Sequence, residues 1–478
     1  MKRCFAFAAI AVTLAAAARA DVRLPKILAS HMVLQRNADV ALWGWAEPGE
    51  NVTVSGDWLQ QPAKATADAD GNWRVRIKTP EAGGPHRITV KGKNEVKLED
   101  VLFGEVWIGS GQSNMEMPLI RVSGAYTAIK DADKEVAAAD HPQIRLFRVG
   151  NHSSKEPLAD VQPGAAMYGV PPSDCKWSAC SPETVKVFAS TAYFFARELH
   201  KELKVPIGII DSSWGGTAAE SWTPIAALEK LGETKQVERA KTQAENPNRQ
   251  VPTRLYNGMI HPLLPLRIKG AIWYQGESNT GRAAKYRDLL TAMIRSWRGG
   301  FGQDFPFYFV EIAPFNYGGV NCAYLREAQL QTLALQRTGM AATIDIGNAR
   351  DIHPKNKQEV GRRLALWALA NDYGRDLVCS GPLYKDHKVE GNKIRIRFDY
   401  TGGGLTTRDG KAPSHFSIAG EDRKFHPATA AIDGNDVVVS ADNVASPEAV
   451  RFAFGNLSVP NLTNREGLPA LSFRTDSW

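Results

Sequence analysis

Residues 105–115 read Glu105-Val106-Trp107-Ile108-Gly109-Ser110-Gly111-Gln112-Ser113-Asn114-Met115, and this stretch decides the fold. An apolar run without alternation passes directly into a glycine-rich turn that carries a hydroxyl. A half-buried strand would alternate polar and apolar residues. A strand buried on both faces does not, because crossover helices cover each side of a parallel sheet. The same kind of run recurs at Val205-Pro206-Ile207-Gly208-Ile209-Ile210, Gly270-Ala271-Ile272-Trp273-Tyr274, Phe307-Tyr308-Phe309-Val310 and Ala342-Thr343-Ile344-Asp345-Ile346. Helix-like segments lie between and after these runs, at Ser190 to Leu203, Tyr286 to Trp297, Leu325 to Arg337 and Lys357 to Asn371. Strand and helix in alternation predict a doubly wound α/β domain over residues 101–376. Residues 119–182, rich in polar and turn residues, break that rhythm and read as an insertion over one end of the sheet.

On either side the pattern changes to short β-like runs between turns. Residues 21–100 hold Val40-Ala41-Leu42-Trp43-Gly44-Trp45, Val52-Thr53-Val54, Trp73-Arg74-Val75-Arg76-Ile77 and His86-Arg87-Ile88-Thr89-Val90. Glu47-Pro48-Gly49 and Asp70-Gly71-Asn72 separate them, as in a small antiparallel β-sandwich. Residues 377–478 return to β-like runs, at Lys393 to Phe398, Val437-Val438-Val439 and Val450 to Phe454, and predict a C-terminal β domain. Residues 1–20 stand apart. Lys2 and Arg3 precede an apolar stretch ending near Ala18-Arg19-Ala20, the form of a cleaved signal peptide. The run is shorter than the ~20 residues a membrane span needs. Export to the periplasm or the medium is expected, without a membrane anchor.

The chain has 478 residues, with 43% hydrophobic and 23% charged, an ordinary balance for a globular protein of two or three domains. Its net charge is +7. Three basic residues and no acid leave with residues 1–20, so the mature chain carries +4, and no cluster of basic residues suggests nucleic-acid binding. Cys175, Cys180, Cys322 and Cys379 remain after processing. An oxidising compartment permits a local disulfide between Cys175 and Cys180. No cysteine or histidine spacing suggests zinc.

In an open parallel sheet, ligands bind beyond the carboxyl ends of the strands. The segments predicted there are Gly109-Ser110-Gly111-Gln112-Ser113, Asp211-Ser212-Ser213-Trp214-Gly215-Gly216-Thr217, Gln275-Gly276-Glu277-Ser278-Asn279 and Asp351-Ile352-His353-Pro354. A hydroxyl, glycine turns with free N–H groups, amides, an acid and a histidine thus converge on one edge. Acyl transfer needs that set: a nucleophile, a base and donors for an oxyanion. A serine in a glycine-rich turn is more often a turn former, and a lone histidine is more often structural. Their joint placement at strand ends, with Asp351 beside His353, favours chemistry. Met115 occupies the second glycine position of a Gly-x-Ser-x-Gly elbow, which excludes the α/β-hydrolase fold. Glu277 reads equally as a helix N-terminal acid or a site residue, and Trp214 equally as core or as a sugar platform.

The blocks Gly111-Gln112-Ser113-Asn114-Met115, Trp273-Tyr274-Gln275-Gly276-Glu277-Ser278-Asn279 and Asp351-Ile352-His353-Pro354 resemble the signatures of the sialate O-acetylesterase family within the SGNH hydrolases. Tyr256-Asn257-Gly258-Met259-Ile260 and Leu325-Arg326-Glu327-Ala328-Gln329 resemble it too. The likeness spans essentially the whole mature chain. It implies a flavodoxin-like parallel-sheet catalytic domain flanked by the N-terminal β-sandwich and the C-terminal β domain. It also implies Ser113 as nucleophile and His353 as general base, with no metal or organic cofactor. The N–H of Ser113 and that of Gly215 or Gly216 would hold the oxyanion. The family's third donor is an asparagine in a Gly-x-Asn-Asp block, which here reads Gln-Gly-Glu-Ser-Asn, so the role passes to Gln275. Gln112, Trp214, Glu277 and Arg326 would line the substrate. The acid stands two residues before the histidine rather than three, so either Asp351 or a backbone carbonyl orients His353.

The expected reaction is hydrolysis of O-acetyl esters on sugars through an acetyl-enzyme, with O-acetylated sialic acids as substrate. Acetyl xylan or another plant polysaccharide is the nearest alternative. Arginines able to grip a sialate carboxylate would discriminate, and Arg254, Arg326 and Arg350 are candidates. A carbohydrate-binding protein without catalysis is the alternative of a different class, but a pure binder needs neither Ser113 nor His353. Oligomeric state is not legible.

Overall fold

The computed structural model describes residues 21–122, 126–165, 169–243 and 247–478. The predicted signal peptide lies outside the described residues. The central sheet is built from β1 (Glu95–Gly111), β2 (His141–Arg148), β3 (Trp177–Cys180), β4 (Ile207–Ser213), β5 (Gly270–Tyr274), β6 (Phe307–Val310) and β7 (Thr338–Ala341). Their order across the sheet is β7-β6-β5-β1-β4-β2-β3. All neighbours pair in parallel except β3, which runs antiparallel to β2.

The unbroken apolar runs are explained by the two cores they serve. Val106, Ile108, Trp273 and Phe309 enter one buried cluster, while Trp107, Ile272, Tyr274 and Tyr308 enter the other. Alternate residues of each strand thus point to opposite faces, and both faces are apolar. Helices α2 (Ser190–Leu203) and α5 (Lys357–Asp372) cover the second face with Ala192, Phe194, Leu364 and Trp367. Helices α3 (Ala283–Phe301) and α4 (Ala323–Gln331) cover the first with Leu290, Trp297 and Leu325. Strands β2 to β4 lie on one side of β1, with β4 next to it, and β5 to β7 lie on the other, so the topological switch point, where α/β sheets hold ligands, falls at the end of β1.

Three sequence expectations change. Residues 119–182 are not only an insertion, because they supply β2, whose residues Ile144 to Phe147 are all buried. The last strand is Thr338–Ala341, not residues 342–346. Ile344 is apolar for a different reason, since it is buried in the core of the C-terminal β domain. No disulfide joins Cys175 to Cys180, and all four cysteines of the described chain are free and buried. The Cys175 thiol donates to the Gln162 carbonyl at 3.2 Å, and that of Cys180 to the Ala139 carbonyl at 3.4 Å.

Both β regions are welded to the catalytic sheet. The 17-residue β1 passes straight through the expected boundary at residues 100–101. Its first half pairs antiparallel with Gly83–Lys91 and its second half lies between β4 and β5. The C-terminal region contributes antiparallel sheets, including one of Leu383–Glu390, Lys393–Asp399, Asp436–Ser440 and Thr429–Asp433. It is tied to α4 by Arg474, which donates to Glu327 at 2.8 and 3.1 Å.

Candidate active site

Strand β1 ends at Gly111 with φ +138°, and a Cβ there would lie 2.2 Å from the Tyr274 carbonyl oxygen. Only glycine allows that approach, which lets Gln112 N–H donate to the same carbonyl at 2.9 Å. The chain then turns into the one-turn helix α1 (Ser113–Glu116). Ser113, its first residue, is half-buried at the strand-end edge. Trp214 N–H donates to Gly111 O at 3.0 Å, bringing the glycine turn that follows β4 alongside. A Cβ on Gly215 would stand 3.4 Å from Ser113 Cβ, 2.8 Å from the Tyr126 hydroxyl and 2.7 Å from Glu116 Oε2. The Tyr126 ring meets the His353 ring edge-on at 5.3 Å. Ser113, Gly215, Tyr126 and His353 therefore surround one small volume.

The histidine loop is fastened to the serine turn through Asn114. Its Nδ2 donates to Ile352 O at 3.0 Å and to Glu277 Oε1 at 2.5 Å, and its Oδ1 accepts from Lys357 Nζ at 2.5 Å. One buried side chain thus joins the segments after β1 and β5, the loop holding His353 and the first residue of α5. Asp351 Oδ1 accepts the His353 backbone N–H at 2.9 Å and lies 3.6 Å from Nδ1. That second distance is too long for a hydrogen bond, so Asp351 here shapes the loop and acts on the ring through its charge.

Burial pushes the His353 imidazole down to about 4; the Lys357 ammonium adds to the shift and Asp351 opposes it. Lys357 is itself pushed down to about 7 by burial, against the pull of Glu277 and Asp351. Burial raises the Glu277 carboxyl above its ordinary range, with Asn114 and Lys357 pulling the other way. The imidazole is therefore neutral at pH 7 and able to accept a proton.

Of the two glycines expected to supply an oxyanion donor, Gly215 has its N–H committed to Glu116 Oε2 at 2.7 Å. Glu116 also accepts from the Tyr126 hydroxyl at 2.7 Å and from Asn151 Nδ2 at 2.9 Å. Among the described residues no group accepts from the N–H of Ser113 or of Gly216. Gln275 does not present its amide to the site. It is 0% exposed, and Nε2 donates to Thr217 O at 3.0 Å and Asn279 Oδ1 at 2.7 Å, while Tyr286 fills Oε1 at 2.7 Å. Gln112 uses its Oε1 to accept Ser278 N–H at 3.2 Å, linking the serine turn to the loop after β5. Trp214 is buried, with the Arg249 guanidinium 5.8 Å from its ring. Arg326 is 1% exposed and donates to Gly455 O at 2.5 Å, which seats it beneath the C-terminal domain rather than at the rim.

The residues that sequence reasoning left without a role are Asn114, Glu116, Tyr126 and Lys357. Asn114 lies inside the quoted serine block and Glu116 just after it, while Lys357 follows His353 by four residues and opens α5. Tyr126 stands in a polar stretch with no pattern that marks it.

A serine at the switch point, a half-buried neutral imidazole on a loop tied to the serine's turn, and unengaged N–H groups suit acyl transfer, and the chain is a carboxylic ester hydrolase. It belongs to the carbohydrate esterase, sialic acid-specific acetylesterase family, whose model matches residues 104–370. The sialate O-acetylesterase of Homo sapiens is 29% identical over 417 residues, covering 79% of this chain and 76% of the relative. That of Mus musculus is 31% identical over 434 residues, covering 77% and 76%. Among solved structures, a carbohydrate acetylesterase from Xanthomonas citri is 43% identical and superposes with a TM-score of 0.85, covering 96% of this chain and all of that one.

Proposed function

We propose that this enzyme is an exported serine esterase of SGNH type that removes O-acetyl groups from sugars, O-acetylated sialic acids first among them. His353 takes the Ser113 proton as Oγ attacks the acetyl carbonyl. The N–H groups of Ser113 and Gly216 hold the tetrahedral oxyanion, and the sugar alcohol leaves with the proton from His353. Water then repeats the sequence on the acetyl-enzyme and releases acetate. The observation that carries this reading is the Asn114 bond to Ile352, which fastens the nucleophile's turn to the base's loop. An oxyanion donor is typically worth about 3–4 kcal/mol to such a reaction.

The sialate preference rests on Arg350. Arg254 and Arg326 are buried, whereas Arg350 is exposed three residues before His353. Among the described residues no acid pairs with its guanidinium, which leaves it to meet a substrate carboxylate. The test is acetate release from O-acetylated sialic acids and from acetylated xylan by the wild type, Ser113→Ala, His353→Ala and Arg350→Ala. Both catalytic variants should lose release, and Arg350→Ala should weaken the sialate substrate alone. Release that survives Ser113→Ala would overturn the mechanism, and a wild type that prefers xylan would overturn the substrate.

A further inference from the structure

We infer that the groove between the loop Glu277–Arg282, helix α4 and the C-terminal β domain binds the sugar residues linked to the acetylated one. The inference rests on the sugar-esterase reading and extends it to the rest of the glycan. The groove measures about 700 Å³, and its lining includes Thr280, Arg287, Asn321, Tyr324, Gln331 and Arg474. That size lies within the range of small-ligand sites.

Three observations point to a carbohydrate. The first is continuity with the catalytic edge. Gln112 beside the nucleophile accepts from Ser278, Asn114 donates to Glu277, and the Thr280 hydroxyl donates to the Glu277 carbonyl at 3.1 Å. One short loop therefore has its start in the active site and its end in the groove wall. The second is Tyr324, an aromatic ring that is 39% exposed in the groove wall. Its ring is held by Phe454 edge-on at 5.2 Å and by the Arg474 guanidinium at 5.2 Å. A fixed, partly open aromatic ring with a polar tip suits a sugar, whose C–H face is apolar and whose rim is hydroxylated. The third is charge. Arg474 pairs with Glu327 and Arg287 with Asp288, so each groove cation has an opposite partner. The lining mixes these paired charges and polar groups with the apolar Ala283, Ala284, Val320 and Ala328, which suits the hydroxyl rim and C–H faces of a sugar rather than an anion.

The test compares kcat/KM for Tyr324→Ala and wild type on paired substrates. One pair is O-acetylated sialyllactose and free O-acetylated N-acetylneuraminic acid. The other is acetylated xylo-oligosaccharide and acetylated xylose, with p-nitrophenyl acetate as the minimal ester. The oligosaccharide of at least one pair should lose about tenfold, the scale of one aromatic contact. The single sugars and p-nitrophenyl acetate should stay within about twofold of wild type on the same scale. An equal loss on every substrate, or no loss on any, overturns the groove assignment while leaving the esterase intact. A wild type inactive on every acetyl ester overturns the esterase reading instead. In that event calorimetry with deacetylated sialyllactose and xylohexaose decides for the groove. Binding weakened by Tyr324→Ala supports it, and no binding to the wild type ends it.

Discussion

The side-chain amide of Asn114 donates to the backbone carbonyl of Ile352 at 3.0 Å, joining the residue after Ser113 to the residue before His353. No sheet hydrogen bond does this, because His353 lies on a loop beyond the last strand. The same side chain is also the acceptor for the buried Lys357 ammonium. Asn114→Ala should release the histidine loop and leave Lys357 without its hydrogen bond. We expect kcat to fall about 100-fold, the usual consequence of a misplaced catalytic group, with KM little changed. Stability should fall by about 1–3 kcal/mol, since buried donors and acceptors lose a hydrogen-bond partner. Steady-state kinetics with urea unfolding checks both. Wild-type kcat in a folded Asn114→Ala would mean that the loop holds itself.

The half-buried His353 imidazole sets the expected pH dependence. With His353 pushed down to about 4, the acid limb of kcat/KM should lie near pH 4 to 5 rather than near the ordinary histidine value of 6.5. Lys357→Met removes a cation that pushes the imidazole down, so it should move that limb upward, toward neutral pH. Stability follows the same sign. The unfolded chain binds a proton at His353 between about 4 and 6.5 that the folded chain refuses. The stabilisation is thus complete above 6.5 and is lost as pH falls through that window. For Lys357 the window runs from about 7 to 10.5, and stability should rise with pH across it in wild type but not in Lys357→Met. A limb unmoved by Lys357→Met would show that the two charges are not coupled.

Glu116 is the acceptor on which the glycine turn rests. Glu116→Ala removes the acceptor shared by three donor groups, the Gly215 N–H, the Tyr126 hydroxyl and Asn151 Nδ2. Each such group costs about 1–3 kcal/mol, so the loss should reach about 3 kcal/mol or more by denaturant unfolding. Glu116→Gln keeps one acceptor oxygen and should lose less. Equal losses in the two variants would place the effect in packing rather than in the hydrogen bonds.

Much of this was legible in the sequence, for physical reasons. The runs at Gly270–Tyr274 and Phe307–Val310 were unbroken because both faces of those strands are covered, and their bounds matched the structure. Helix α2 likewise began and ended where its amphipathic pattern did. Strand β2 escaped because it starts with His141-Pro142-Gln143, which are partly or fully exposed, so only its second half is apolar. Strand β7 escaped because Thr338-Gly339-Met340-Ala341 is short and carries little bulk, while the apolar Ile344 nearby serves another core. At the site, serine and histidine are visible as residue types. The commitment of Gln275 and of the Gly215 N–H to other partners is decided by neighbours distant in sequence, such as Tyr286 and Glu116, and no local pattern announces it.

The free cysteines give a direct check on the fold. Cys175, Cys180, Cys322 and Cys379 are buried, and burial raises each thiol above its ordinary range. The native protein should react slowly with a thiol reagent, whereas residues 21–478 unfolded without reductant should titrate all four. Two thiols in the unfolded chain would restore the disulfide between Cys175 and Cys180.

Gly215 tests the geometry beside Ser113. The position has no room for a methyl group, since a Cβ would meet Glu116 Oε2 at 2.7 Å and the Tyr126 hydroxyl at 2.8 Å. Both of those atoms hold hydrogen bonds and cannot retreat without breaking them. Gly215→Ala should therefore push the glycine turn away from Ser113 and carry the Gly216 N–H with it. Losing one oxyanion donor costs about 100- to 1000-fold in kcat, and we expect a loss of that order on p-nitrophenyl acetate and on acetylated sugars alike. Gly216→Ala is the contrasting variant. It has φ +69° but only the Arg249 guanidinium within 4 Å, at 3.6 Å, so its penalty is backbone strain rather than collision. It should lose stability as well as activity, while Gly215→Ala should lose activity first. Equal kcat for wild type and Gly215→Ala would remove the glycine turn from the oxyanion site and leave Ser113 N–H to hold the charge with a donor from elsewhere.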